Sequence, residues 1–113
     1  MPDVMADRRA APRYPLVLVV DVVERSNGNR FCARTSDVSR AGCYVDTLNP
    51  LPAGTPIFIS LTHRGETIEI PARIVYVSPA LGMGVHFDDP VPPRQLATLD
   101  RWLEAAAQSE LQG

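Results

Sequence analysis

Two short stretches of this chain have complementary chemistry. They are Arg9-Ala10-Ala11-Pro12-Arg13, spaced R-x-x-x-R, and Asp37-Val38-Ser39-Arg40-Ala41-Gly42, spaced D-x-S-x-x-G. The first places two guanidiniums on an N-terminal segment, with Arg8 directly before them. The second places a carboxylate, a hydroxyl and a glycine in a turn between two predicted strands. Guanidinium matches phosphate oxygens and the guanine O6/N7 edge bidentately, and it stacks on bases. A carboxylate accepts from the N1–H and N2–H donors of guanine. The pair points to an anionic, guanine-bearing ligand. On fold grounds alone, Asp37 and Ser39 read as caps on backbone N–H groups and Gly42 as a positive-φ residue. The arginines then read as a solvated terminus.

Other reactive side chains form no constellation. His63 falls in a predicted hairpin turn and His86 in a strand, neither with an i, i+4 partner or a Cys or Glu cluster at ligand spacing. Cys32 and Cys43 match no zinc pattern and read as small apolar strand residues. Ser39 lacks a base in a nucleophile-elbow context. Asp88 and Asp89 are adjacent, so a strand would point them to opposite faces, and their place is at the approach to the helix. The sequence reads as a binding protein without metal or cofactor, not as an enzyme.

In this order, and near these ends of a small β domain, the two motifs resemble the PilZ domain, a bacterial receptor module for cyclic di-GMP. Gly82-Met83-Gly84-Val85-His86-Phe87 resembles the glycine-rich last barrel strand of that family. The resemblance runs from Arg8 to Leu103. It implies a six-stranded barrel followed by a helix, with cyclic di-GMP as ligand. Carried over by position, Arg9 and Arg13 clasp phosphate and guanine, while Asp37 and Ser39 read guanine and the adjacent phosphate. Gly42 lets the backbone come close where a Cβ would intrude. An arginine at the position of Arg8 goes with two intercalated ligand molecules per chain, and two are expected here. Arg40 is either a further phosphate contact or a solvated side chain. The implied protein signals to a separate downstream partner when ligand orders its N-terminal segment. The alternative is a ligand-free adaptor in pilus or motility assembly, against which the intact arginines argue.

These residues need a scaffold, and the patterning supplies one. Residues 1–12 show no period and read as a flexible lead-in. Pro15 to Glu24 is β-branched and predicts a strand, and Asn27-Gly28 predicts the hairpin turn into Arg30 to Val38. Gly42 to Asp46 starts a third strand. A loop follows over Leu48 to Pro56, then a hairpin of Ile57 to Thr62 and Thr67 to Val77. In that hairpin Ile57, Ile59 and Leu61 alternate, as do Ile68, Ile70, Ala72, Ile74 and Tyr76, so one face is buried. Pro71 predicts an edge position or a bulge. Met83 to Asp88 is the sixth strand. Past Pro93 the period lengthens, and Leu96, Leu99, Leu103 and Ala106 form one helix face. That face seals the barrel end, with Trp102 at its margin, where exposure would suit a second copy or an effector domain. The fold class is all-β with a C-terminal helix, a six-stranded antiparallel β-barrel. The 113 residues read as one domain: segment 1–13 clasps ligand, 14–90 forms the barrel, and 91–113 forms the helix and tail.

Composition agrees. With 45% hydrophobic and 21% charged residues the chain is no disordered tail. A net charge of −2 argues against a nucleic-acid polymer as partner. A single-strand-binding barrel would also want clustered aromatic residues in a basic groove, and here they are spread apart. No apolar run approaches the ~18 residues of a membrane span, and the N-terminus lacks a signal-peptide core. The expectation is a soluble cytoplasmic protein.

Overall fold

The computed structural model describes residues 11–112. The predicted lead-in falls outside them except for its last two residues, and Arg8 and Arg9 lie outside as well. Six strands, β1 (Val19–Glu24), β2 (Arg30–Val38), β3 (Gly42–Asp46), β4 (Pro56–His63), β5 (Glu66–Ser78) and β6 (Gly82–Phe87), precede one helix, α1 (Pro93–Gln112). The strands close into a barrel in the order β1-β2-β3-β6-β5-β4, each pair antiparallel. This is the architecture predicted from the pattern.

The alternation seen in β4 and β5 fills the barrel. Ile57, Ile59, Leu61, Ile70 and Ile74 are fully buried, and Val20, Val22, Val45, Met83 and Phe87 complete the interior from the other strands. Closure leaves no edge strand, so Pro71 is accommodated differently from the prediction. It pairs with Phe58 of β4, and its carbonyl accepts from Asp88 N–H at 2.8 Å, one step past the last β5–β6 register pair, Ala72–Phe87. The missing N–H therefore lies where the β6 ladder has ended.

The first strand begins four residues later than Pro15. Between Pro15 and Leu18 the chain is held by Thr35, whose buried hydroxyl donates to Leu16 O at 2.7 Å and accepts from Leu18 N at 2.8 Å. Just before it, Tyr14 and Val38 exchange backbone hydrogen bonds of 2.9 and 3.0 Å as an isolated bridge. The segment that carries Arg13 is thus pinned to the end of β2.

Helix α1 starts with Pro93, a residue suited to the first helical position because its missing N–H costs no bond there. It lays Leu99, Trp102 and Leu103 on the barrel. Each such leucine contributes about 1.5–3 kcal/mol by leaving water. Exposed ion pairs are weak by comparison. The apolar face holds the helix, and the Arg40–Asp100 and Arg101–Glu66 pairs orient it. Trp102 is only 4% exposed, so it is a core residue and not a marginal surface. Its indole N–H donates to Glu66 at 3.1 Å, and His63, the last residue of β4, packs edge-on against its ring.

Candidate functional site

The Tyr14–Val38 bridge sets Arg13 beside Asp37. Arg13 Nε and Nη2 donate to Asp37 Oδ1 at 3.1 and 2.8 Å, and this hydrogen bond holds the guanidinium more firmly protonated than usual. Asp37 Oδ2 has no hydrogen-bond partner among the described residues. Both side chains are partly exposed, and such surface pairs contribute only about 0.2–1 kcal/mol. Either group can exchange its partner for a ligand at small cost.

Two β-bulges aim the site. Where β2 meets β3 the register slips between Thr35 and Asp37. Thr35 then points inward, Ser36 and Asp37 face outward, and Val38 returns to the core. Without the extra residue Asp37 would follow Thr35 into the barrel. A second slip, between Ile74 and Tyr76 of β5, does the same for Val75 and Tyr76, which are 47% and 46% exposed. The sequence alternation puts Tyr76 on the buried face, and the bulge reverses it.

The glycines of β6 give Tyr76 room. A Cβ at Gly84 would enter the Tyr76 ring, and one at Gly82 would meet the Tyr44 ring and the Val45 carbonyl. The two tyrosine rings lie across β6 with centroids 6.1 Å apart. Gly42 has a related role. Its φ is not positive, contrary to the fold-level reading of the sequence; among the described glycines only Gly28, Gly54 and Gly65 have positive φ. A Cβ at Gly42 would collide with the Val85 carbonyl, so this glycine permits close β3–β6 approach.

Ser39 is 7% exposed and fixes the turn. Its hydroxyl accepts from Ala41 N at 3.1 Å and Gly42 N at 3.2 Å, and its own N–H donates to Gly42 O at 2.8 Å. The predicted capping role of Ser39 holds. Arg40 pairs with Asp100 of α1 and is therefore not a free cation.

Arg13, Ser39, Gly42, Tyr76, Gly84 and His86 line one open groove of about 520 Å³ on the outer wall of β3, β6 and β5. Cys43 lies at its floor, where burial pushes the thiol up to about 12, so it stays protonated and inert. Cys32 differs from the apolar reading: it is exposed on β2 and donates to Asp21 at 3.1 Å. Asp88 accepts from Arg25 at 2.8 Å at the barrel end, on the approach to the helix.

The PilZ domain family model matches residues 7–105. The chain belongs to the PilZ family. The PilZ domain of CeSA from a cellulose-synthesizing bacterium superposes with a TM-score of 0.67 at 24% identity, over 84% of this chain and 97% of that one. The Bacillus subtilis inhibitor of motility, MotI/DgrA, gives 0.73 at 16% identity, over 93% of this chain and 52% of that one. The Borreliella burgdorferi PlzA protein, in complex with c-di-GMP, gives 0.59 at 14% identity, over 84% and 43%. These likenesses are of fold, and the PilZ chain here spans about half the length of the last two proteins. No curated protein matches the chain. No described helix is long and apolar enough to cross a membrane.

Within this PilZ barrel the structure brings Arg13, Asp37, Ser39 and Gly42 together, four of the six predicted site residues. It adds Tyr76 and Val75, which the sequence reading placed in a strand without a role. The signal for Tyr76 was there in the Gly82-x-Gly84 spacing, since a glycine inside a strand marks a close approach by a neighbouring group.

Proposed function

We propose that this PilZ domain is a cyclic di-GMP receptor that signals to a separate protein when ligand orders its N-terminal segment. The observation that carries the reading is the groove itself: the Arg13 guanidinium and the exposed Tyr76 ring line one open wall, and Arg13 is paired to the Asp37 carboxylate, whose second oxygen has no partner among the described residues. Arg13 and the preceding Arg9 take phosphate and a guanine edge. Asp37 Oδ2 accepts from guanine N1–H and N2–H, and the Tyr76 ring stacks on a base. Ser39 keeps the turn in shape and adds a neighbouring hydroxyl. With Arg8 supplying a third guanidinium, the repulsion between two stacked ligands is offset, and two molecules bind per chain. Ordering the N-terminal segment costs conformational entropy, which the charge-assisted bonds exceed. The domain acts in the bacterial cytoplasm, where the nucleotide is made.

One observation favours a second reading. Arg13 pairs with one oxygen of Asp37, and Ser39 is used by its own turn, so these groups have partners within the chain. A ligand-free adaptor for a pilus or motility assembly would look the same. Calorimetric titration with cyclic di-GMP, with GMP and cyclic di-AMP as controls, separates the two. Binding with a ratio near two supports the receptor. No heat at high protein concentration leaves the adaptor, and a ratio of one removes the role of Arg8.

A further inference from the structure

Arg40 sits inside the D-x-S-x-x-G turn, between two residues that line the groove, Ser39 and Ala41. Its side chain nevertheless points away. Nε donates to Asp100 Oδ1 at 2.7 Å and Nη2 to Asp100 Oδ2 at 3.3 Å, a fork that uses both carboxylate oxygens. Arg13 and Asp37 share only one oxygen, so the Arg40 pair is the better-matched of the two.

The position of Arg40 is a border. On the helix side it lines a hollow of about 360 Å³ with Tyr14, Asp100 and Glu104. On the other side it lines one of about 300 Å³ with Ala41, His86 and Asp89. This second hollow shares Ala41 and His86 with the main groove. Because Arg40 lines both hollows, its side chain borders open space on the groove side as well as on the helix side. Both partners of the pair are about half exposed, 55% and 44%, so an exchange of partner is made in water and costs little.

We propose that Asp100 is an affinity-setting residue of the groove: it holds Arg40 on the helix and withholds that cation from the ligand phosphates. The inference rests on the reading of the groove as a cyclic di-GMP site. A phosphate and the Asp100 carboxylate compete for one guanidinium. Removing the carboxylate charge hands Arg40 to the ligand. Asp100 touches no ligand itself and acts through Arg40 as a positioning residue.

The test is a four-variant cycle: wild type, Asp100→Asn, Arg40→Gln and the double variant, each titrated with cyclic di-GMP at fixed salt. Asp100→Asn is expected to tighten binding by about two- to fivefold, the range of one exposed ion pair. Arg40→Gln alone is expected to change affinity less than about twofold, because Arg40 is already engaged. In the double variant the gain disappears. Glu104→Gln, which removes a nearby charge that does not hold Arg40, leaves affinity unchanged. Trp102 fluorescence checks that α1 stays docked in every variant, and Asp100→Ser replaces Asp100→Asn if it does not. An unchanged affinity in Asp100→Asn, a gain that survives Arg40→Gln, or an equal gain in Glu104→Gln each overturns the proposal while leaving the receptor reading intact. Failure of all variants to bind overturns that reading, and the proposal with it.

Discussion

Arg13 sets two of its nitrogens on a single oxygen of Asp37, at 3.1 and 2.8 Å, and the other oxygen has no hydrogen-bond partner among the described residues. The contact spans 24 residues of sequence and depends on the Tyr14–Val38 bridge, which fixes the arginine's backbone against the end of β2. The pair positions both groups before any ligand arrives. It is weak enough to open, and the Asp37 side chain is partly exposed.

Arg13→Ala is therefore expected to cut cyclic di-GMP affinity while the fold persists. A lost charge-assisted contact is worth about 1.5–3 kcal/mol, or roughly ten- to 150-fold in affinity. Thermal melts without ligand should change little, because a surface pair carries little stability. Titration at matched salt decides it, and wild-type affinity in the variant would rule out the clasp.

Asp37→Ala tests recognition instead of grip. Adenine lacks the N1–H and N2–H donor pair, so a carboxylate that reads guanine separates cyclic di-GMP from cyclic di-AMP. The variant should lose most of that preference. Equal weakening for both ligands would mean that Asp37 only steadies Arg13.

Much of this was legible in the sequence. Alternation gave β4 and β5 their buried face, Asn27-Gly28 marked the first hairpin, and the change of period past Pro93 marked α1. The site was legible only in part, because two of its positions depend on bulges. Strict alternation sends Tyr76 inward with Ile74, and a one-residue slip sends it outward. The start of β1 was also hidden. What interrupts the β-branched run is the Thr35 hydroxyl, and its partners lie 17 and 19 residues away. Local propensity carries no trace of such a contact. Likewise Gly42 looked like a turn residue, whereas the constraint on it comes from Val85, across the β3–β6 pair.

The Thr35 contact gives a prediction at a distance from the ligand. Thr35→Val keeps the shape but strands Leu16 C=O and Leu18 N–H, which costs about 1–3 kcal/mol in a buried setting. The segment from Tyr14 to Leu18 should loosen, and Arg13 with it. Denaturant melts should show the loss of stability, and ligand affinity should fall although Thr35 touches no ligand. Unchanged affinity in a destabilised variant would show that Arg13 is placed by the Tyr14–Val38 bridge alone.

The last prediction concerns pH and the docking of α1. The Arg101 hydrogen bond, joined by the Trp102 indole, holds the Glu66 carboxyl below its ordinary value of 4.5. Burial, with help from the Arg64 charge and against Glu66, holds the His63 imidazole below 6.5. For both groups the unfolded chain binds protons more readily than the folded one. Each therefore contributes stability that is present above its unfolded value and is lost as pH falls through the lower folded one. His63 should weaken the fold first, below pH 6.5, and Glu66 should follow below 4.5. Both side chains touch Trp102, so the helix end of the molecule should respond before the barrel does. Trp102 fluorescence followed alongside far-UV circular dichroism across this range checks the order. Glu66→Gln retains an oxygen for the indole but cannot titrate, and it should flatten the slope below 4.5 while leaving the His63 step in place. His63→Phe should do the converse. If Glu66→Gln keeps the wild-type slope below 4.5, acid release of α1 does not run through that carboxylate.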